Sequence, residues 1–134
     1  MIMENGELRI ENNPNPVVKK SYDFALDIII LYKFLVEERK EFVLSKQLLR
    51  SGTGVGANIR EAIDGQSKPD FLSKMNISLK EARESLYWID LLRDSNYIDL
   101  KQKQKVYKEC EELIRILTSI VKTTKQKIGG KYVL

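Results

Sequence analysis

Residues 50–61 read RSGTGVGANIRE and place three glycines within five positions, at Gly52, Gly54 and Gly56. With Ala57, the first two match the G-x-G-x-x-G/A spacing of a dinucleotide-binding turn. That turn needs a strand before it and a βαβ unit around it, but the preceding residues, SKQLLR, lie in a helical pattern. No Lys-Ser or Lys-Thr pair follows, which also argues against a P-loop. We therefore interpret the stretch as helix.

Small residues in a helix allow a neighbouring helix to approach closely. Gly52 shares a face with the apolar Val55, and Gly54 lies on another face of the same helix. Each glycine costs about 1 kcal/mol relative to alanine in a helix interior, so three together predict tight packing or a local bend. Gly52, Gly54 and Gly56 are accordingly our candidates for close helix packing.

Polar side chains on this helix form a second candidate feature. Arg50, Asn58 and Glu61 share one of its faces. Glu81 and Glu84, from the next helix, are possible partners for them. A structural polar network would fix the register of the two helices more than it would add stability. A nucleic-acid or ligand contact and a catalytic cluster are the alternatives.

Apolar residues elsewhere recur at helical spacing, and no segment has the two-residue alternation of a strand. The pattern predicts one domain over residues 17–128, with helices at about 17–40, 43–64, 68–94 and 99–127. Long helices joined by short turns favour an all-α, antiparallel, up-down-up-down four-helix bundle. Ser67 and Asp99 are expected to cap the third and fourth helices. Residues 1–16 are predicted to form a polar, flexible arm, and residues 129–134 a tail after Gly129–Gly130 ends the last helix.

The first helix carries more apolar surface than one bundle seam requires. Two stripes lie side by side, one of Val18, Tyr22, Ala25, Ile29, Tyr32 and Val36, the other of Phe24, Ile28, Leu31 and Leu35. The excess indicates either a thicker core contact or an interface with another subunit.

The composition excludes several kinds of chemistry. The 134 residues include no histidine and one cysteine, Cys110, so neither an intrachain disulfide nor a Cys/His zinc site can form. Di-metal bundles use Glu-x-x-His motifs, which are absent. We predict no enzymatic activity, catalytic residue, metal or cofactor. With a single cysteine and no disulfide, a cytoplasmic setting is the simplest expectation. The most apolar run, residues 24–36, is too short to span a bilayer, so we expect no membrane partner.

Positive charge is concentrated near the end of the chain. The net charge is +4, and residues 99–134 hold nine basic and four acidic groups, or +5. A basic segment is typical of proteins with an anionic partner. The candidate nucleic-acid-binding residues are Lys101, Lys105, Lys108, Arg115 and Lys122. The alternative is an ordinary solvated helix face.

Two stretches also resemble a known family. Residues 47–62, QLLRSGTGVGANIREA, and 67–92, SKPDFLSKMNISLKEARESLYWIDLL, are similar to four-helix-bundle proteins encoded in intervening sequences of bacterial 23S rRNA genes. The family includes accessory variability proteins of diversity-generating retroelements. The matching residues are Arg50, Ser51, Val55, Ala57, Asn58, Ile59, Glu61, Ser67, Lys68, Phe71, Glu81, Ala82, Glu84, Trp88 and Leu92. The chain departs at Gly52 and Gly54, where Ala and Ser are usual.

The resemblance implies a bundle that assembles into a ring-like homopentamer and is not an enzyme. In the retroelement members, the basic ring binds RNA and a reverse transcriptase. The leading hypothesis is therefore a non-enzymatic oligomer that binds RNA or another nucleic acid through a basic surface. A structural adaptor for a protein partner, such as a reverse transcriptase or RNA-processing enzyme, is the second hypothesis, and an enzyme the third.

Overall fold

The computed structural model describes residues 15–132, which form helices joined by turns and contain no strand. The four helices are α1 (Pro16–Glu37), α2 (Leu44–Ile63), α3 (Lys68–Asp94) and α4 (Leu100–Tyr132). Each helix packs against two others, so that α1 lies diagonally opposite α3 and α2 opposite α4. This arrangement surrounds a single core.

Cross-helix contacts show that neighbouring helices run in opposite directions. Lys20, near the start of α1, meets Glu112 of α4, whereas Asp27, two turns further along α1, meets the earlier Lys105. Two contacts for each of the other pairs show the same reversal. They are Ile28–Gly52 with Ser21–Gly56, Ser51–Ser85 with Val55–Ser78, and Ala82–Cys110 with Asp90–Lys103. The predicted all-α, antiparallel, up-down-up-down fold is confirmed.

The two apolar stripes of α1 have different roles. Phe24, Ile28, Leu31 and Leu35 are buried in the core. In the other stripe only Val18 is buried, and Tyr22 is exposed. The apolar surface of α1 therefore continues beyond the core to the outside of the bundle.

The other helices and the turn before α4 supply most of the remaining core. The turn contributes Ile98, and the buried apolar residues of the helices are Leu48, Val55, Ile59, Ala62, Met75, Leu79, Ala82, Ile89, Leu92, Val106, Cys110, Leu113, Leu117 and Val121. The Cys110 thiol donates to the Ala82 carbonyl at 3.1 Å. Burial raises the pKa of this thiol to about 12, so Cys110 is an unreactive core residue.

Side-chain caps begin α3 and α4 at the predicted residues. Ser67 accepts a hydrogen bond from the Asp70 amide at 3.2 Å. Asp99 accepts from the Gln102 amide at 2.8 Å, while the Gln102 side chain accepts from the Asp99 amide at 2.9 Å. This reciprocal pair is a capping box, which satisfies two otherwise unpaired amides.

The turn between α1 and α2 corrects the expected end of the first helix. α1 stops at Glu37 rather than near residue 40, and Lys40 adopts a left-handed conformation with φ 54°. Glu41, the last residue of the charged run EERKE at 37–41, is buried although charges in such a run are usually solvated. Its carboxylate accepts hydrogen bonds from the amides of Val43, Leu44 and Ser45 at 3.1, 3.0 and 2.7 Å. Glu41 thus satisfies the first amides of α2.

The predicted C-terminal tail is also corrected, because α4 continues through Gly129–Gly130 to Tyr132. A glycine ends a helix when it adopts positive φ, and no described glycine does so. The predicted N-terminal arm lies outside the described residues except for Asn15 and Pro16. Asn15 caps α1 by accepting from the Val17 amide at 3.2 Å.

The three glycines of α2 face two different helices. A Cβ built on Gly52 would lie 2.9 Å from both Cγ atoms of Ile28 in α1. At Gly56 it would lie 3.3 Å from the Ser21 hydroxyl, also in α1, and at Gly54 3.3 Å from the Glu81 carboxyl of α3. The tightest approach is that of α1 at Gly52. The helix is α-helical without interruption across all three positions.

Candidate nucleic-acid interface

The five candidate basic residues lie along one side of α4. Their spacings are four, three, seven and seven residues, which keeps them one or two turns apart on one helical face. All five are exposed: Lys101, Lys105, Lys108, Arg115 and Lys122. This face points away from the buried stripe that contains Val106 and Leu113. The structure therefore brings the predicted residues together on solvent-exposed surface.

Only one of the five forms an ion pair within residues 15–132. Lys105 Nζ lies 3.5 Å from Asp27 Oδ2 of α1, and the lysine side chain is still 66% exposed. Surface ion pairs contribute about 0–1 kcal/mol, so Lys105 can exchange this partner for a phosphate at little cost. The other four cations have no carboxylate within salt-bridge distance in the described part of the chain.

The basic residue Lys103, which was not a candidate, faces α3. Its ammonium lies 3.2 Å from Asp90 and 4.8 Å from the centre of the Tyr107 ring. Lys103 is thus occupied within the bundle. The spacing of the sequence contained this signal, because Lys103 is out of phase with Lys101, Lys105 and Lys108.

The candidate polar network is smaller than the five residues suggested. Arg50 of α2 bridges two carboxylates of α3, with N–O distances of 3.2 Å to Glu81 and 2.9 Å to Glu84. Although Arg50 is close, the pKa of Glu81 is raised, since burial and the adjacent Glu84 outweigh the guanidinium. The contact to Glu84 is the main reason that the pKa of Arg50 is raised.

The structure corrects the membership of that network. Asn58 donates to the Gly54 carbonyl of its own helix at 2.8 Å, and Glu61 pairs with Lys74 at 3.0 Å. Glu61 lies eleven residues from Arg50, or about 16 Å along the helix, which is too far for one cluster. Arg50, Glu81 and Glu84 therefore form an inter-helix clamp.

A second carboxyl pair, not anticipated from the sequence, lies between α1 and α4. Glu109 Oε1 is enclosed and has no hydrogen-bond partner in the described part of the chain. Burial, and then the neighbouring Asp27, raise the pKa of Glu109 to about 8. Two ionised carboxylates can only accept hydrogen bonds, so Glu109 and Asp27 can bond only while one holds a proton.

Two aromatic residues on α3 have different environments. The Tyr87 ring is exposed and meets Trp88 edge to face, with 5.0 Å between ring centres. Trp88 packs against the core. Tyr87 is therefore the ring of this pair that a base can reach.

No group of three or more His, Cys, Asp or Glu residues within residues 15–132 is placed to hold a metal ion. None of the described helices is long and apolar enough to cross a membrane.

These features define the class of protein as an antiparallel four-helix bundle whose longest helix, α4, carries an exposed basic face. The chain belongs to the 23S rRNA-intervening sequence protein family, which matches residues 14–119. A solved structure of a protein with unknown function from the S23 ribosomal protein family of Bacteroides thetaiotaomicron VPI-5482 is 53% identical, with a TM-score of 0.79. The match covers 81% of this chain and 96% of that chain. None of the curated proteins matches. The resemblance inferred from the sequence is confirmed, and neither name describes an enzymatic activity.

Proposed function

We propose that this protein is a non-enzymatic oligomer that binds nucleic acid, with RNA preferred, through the basic face of α4. The observation that carries the proposal is the alignment of five exposed cations, Lys101 to Lys122, on one helix face. Phosphate contacts need accessible cations in register rather than a concave pocket. The family's connection with 23S rRNA genes makes RNA the first nucleic acid to test.

Assembly would strengthen an interaction that is weak in one subunit. One chain carries +4, so five chains in a ring would carry five times four, or about +20, and would present the same face five times. Linked weak contacts raise the overall affinity without any new contact. The pentamer is the stoichiometry that the family resemblance implies.

The outer face of α1 supports an assembly of identical chains. Tyr22, Leu26 and Ile30 follow one another at four-residue intervals and are 45%, 45% and 65% exposed. A shallow groove beside them is lined by the small residues Ala25 and Gly56, among others. Apolar side chains next to a groove of small residues are typical of helix interfaces, so we assign this face to a second copy of the chain.

Replacing Ile30 by glutamate should dissociate this assembly. A charge at the most exposed apolar position of the α1 face would have to be desolvated in the interface. Sedimentation velocity should show the variant Ile30→Glu at the 15.6 kDa mass of one chain and the unchanged protein at a multiple of it. Ile77→Glu, at an exposed isoleucine of α3, is the matched control and should remain assembled. A monomeric unchanged protein would rule out the assembly.

Nucleic-acid binding is tested by fluorescence anisotropy with an RNA hairpin and a DNA duplex of equal length. We expect micromolar or tighter RNA binding that weakens steeply between about 50 and 200 mM salt. The variant Lys101→Gln/Lys105→Gln/Lys108→Gln should bind more weakly with a shallower salt dependence. Absence of binding to either probe at low salt would contradict direct recognition.

The adaptor function is favoured by a separate observation. Phe42 and Val43, in the turn between α1 and α2, are both exposed. Two adjacent large apolar side chains at one end of the bundle suit a protein partner, such as a reverse transcriptase or an RNA-processing enzyme. This candidate gains support if the protein assembles but binds neither nucleic acid alone.

A further inference from the structure

α4 extends beyond the helices that flank it. Lys20 pairs with Glu112, so Pro16, four residues earlier on antiparallel α1, lies level with about residue 116. The Ala82–Cys110 contact likewise places Lys68, the first residue of α3, level with about residue 124. α4 continues to Tyr132, about 24 Å past the start of α1 and about 12 Å past the start of α3.

The end of α4 has no share in the core. Val121 is the last buried residue of the helix, and none of residues 122–129 is buried. A Cβ on Gly129 would meet nothing within 4 Å. We call residues 122–132 the terminal segment. Because none of residues 122–129 is buried, this part of α4 gains little stability from packing against the described helices.

Charge is distributed unequally along α4. Residues 100–112 contain four lysines and three glutamates, or +1. After Glu112 the sequence contains no acidic residue, and its basic residues are Arg115, Lys122, Lys125, Lys127 and Lys131, or +5. Cations in the last turn also interact favourably with the helix dipole, but that effect fades within one turn and does not account for Lys122 or Lys125.

The lysines of the terminal segment surround the helix. At 100° per residue, Lys125 is displaced by about 60° from Lys122, and Lys127 by about 140° in the other direction. All three are exposed, and within residues 15–132 neither α1 nor α3 reaches as far as Lys125 or Lys127. A helix with cations on several sides suits a ligand that presents phosphates on several sides, as a fold or groove of RNA does.

We propose that the terminal segment of α4 is the principal phosphate-binding element and inserts between RNA backbones. This inference rests on the proposed function and deepens it. It assigns the larger electrostatic contribution to the terminal segment. The first half of α4 contributes less, because its Lys103 and Lys105 already pair with Asp90 and Asp27.

Three charge-matched triple variants of the full chain test the assignment. They are Lys122→Gln/Lys125→Gln/Lys127→Gln in the terminal segment, Lys101→Gln/Lys105→Gln/Lys108→Gln in the first half of α4, and Lys33→Gln/Lys46→Gln/Lys80→Gln at exposed positions on other helices. Each variant loses three charges, so a general effect of net charge would be equal in all of them. The probe is one RNA hairpin titrated by anisotropy at several salt concentrations.

We expect the terminal variant to lose about 2 to 3 units from the slope of log K against log salt, and about tenfold or more in affinity at low salt. The first-half variant should lose about one unit, and the control variant less than that. Circular dichroism should give the same thermal midpoint for all three proteins, because none of the replaced side chains is buried.

The outcomes separate this inference from the proposed function. If the unchanged protein does not bind the hairpin at low salt, the proposed function fails. If it binds, but the terminal variant retains the salt slope while the first-half variant loses it, the terminal segment is not the phosphate-binding element. An equal loss in all three variants would likewise overturn the assignment, since binding would then follow net charge alone.

Discussion

Replacement of Gly52 by alanine is expected to destabilise the bundle by about 1–3 kcal/mol, although alanine is the better helix former. The new Cβ would lie 2.9 Å from Cγ1 and Cγ2 of Ile28 and 3.3 Å from its Cβ. Isoleucine in a helix has one strongly preferred χ1 rotamer, so its branched carbons cannot turn away. Relief therefore requires α1 and α2 to separate, which disturbs the core that both helices line.

A change of the partner residue and a control glycine isolate the steric origin of this effect. An Ile28→Ala background removes both 2.9 Å contacts and leaves only the 3.3 Å contact to Cβ. There Gly52→Ala should cost much less, and the gain of up to about 1 kcal/mol from helix propensity can offset what remains. Gly129→Ala, in open space, is the control and should not destabilise. Urea denaturation compares the unchanged protein, Gly52→Ala, Ile28→Ala, the Ile28→Ala/Gly52→Ala double variant and Gly129→Ala. All five are measured at one fixed protein concentration, because assembly would make the midpoint concentration-dependent. A higher midpoint for Gly52→Ala alone would contradict the close approach.

The sequence predicted the helices well because their apolar periodicity is a local signal. It also predicted that the three glycines serve close packing, since their combined cost in a helix requires a compensating contact. The partners were not predictable. Whether Gly52 meets Ile28 or another residue depends on the register between α1 and α2, which no single helix contains.

The expectations for Glu41 and for the end of α4 were wrong for related reasons. Glu41 belongs to the charged run EERKE, and charges in such a run are usually solvated. Only the tertiary turn, with Lys40 at positive φ, directs its carboxylate onto the first amides of α2. Gly129–Gly130 resembles a stop signal, but glycine permits a helix end without requiring one. Neither glycine adopts positive φ here, so α4 continues to Tyr132.

In the candidate site, too, helical phase was predictable from the sequence, whereas contacts between helices were not. Helical phase alone placed the five cations of α4 on one exposed face. Phase also placed Glu61 on the face of Arg50, but the length of the helix keeps them apart. The pairing of Lys105 with Asp27, and the approach of Asp27 to Glu109, depend on how far α4 slides along α1. That offset is set by the whole core.

The carboxyl pair leads to the second large effect, a loss of stability as the pH rises. The pKa of Glu109 is about 8 in the folded protein, against 4.5 for an ordinary glutamate. The folded state therefore binds more protons than the unfolded state between these values, and stability falls as pH increases through that window. The contribution is fully present below about pH 4.5 and lost above about pH 8. Because Glu109 is only partly buried, we expect the free energy of unfolding to fall by about 1–2 kcal/mol. This is less than the free energy that corresponds to the full pKa difference.

Glu109→Gln should remove this dependence. An amide remains uncharged at every pH and can donate to Asp27, so the variant should be more stable than the unchanged protein at pH 8.5 and similar near pH 5. Asp23, Asp27 and Lys105 also act on this site, and the variant leaves them in place. Glu111→Gln, at an exposed position of the same helix, is the control and should keep the original pH slope. The comparison uses denaturation midpoints measured from pH 5 to 9. If the midpoint falls with pH equally in Glu109→Gln and in the unchanged protein, Glu109 and Asp27 do not share a proton. If the slope disappears only in Glu109→Gln, the interface between α1 and α4 holds its proton at neutral pH, which is the condition under which its two carboxyl groups can bond to each other.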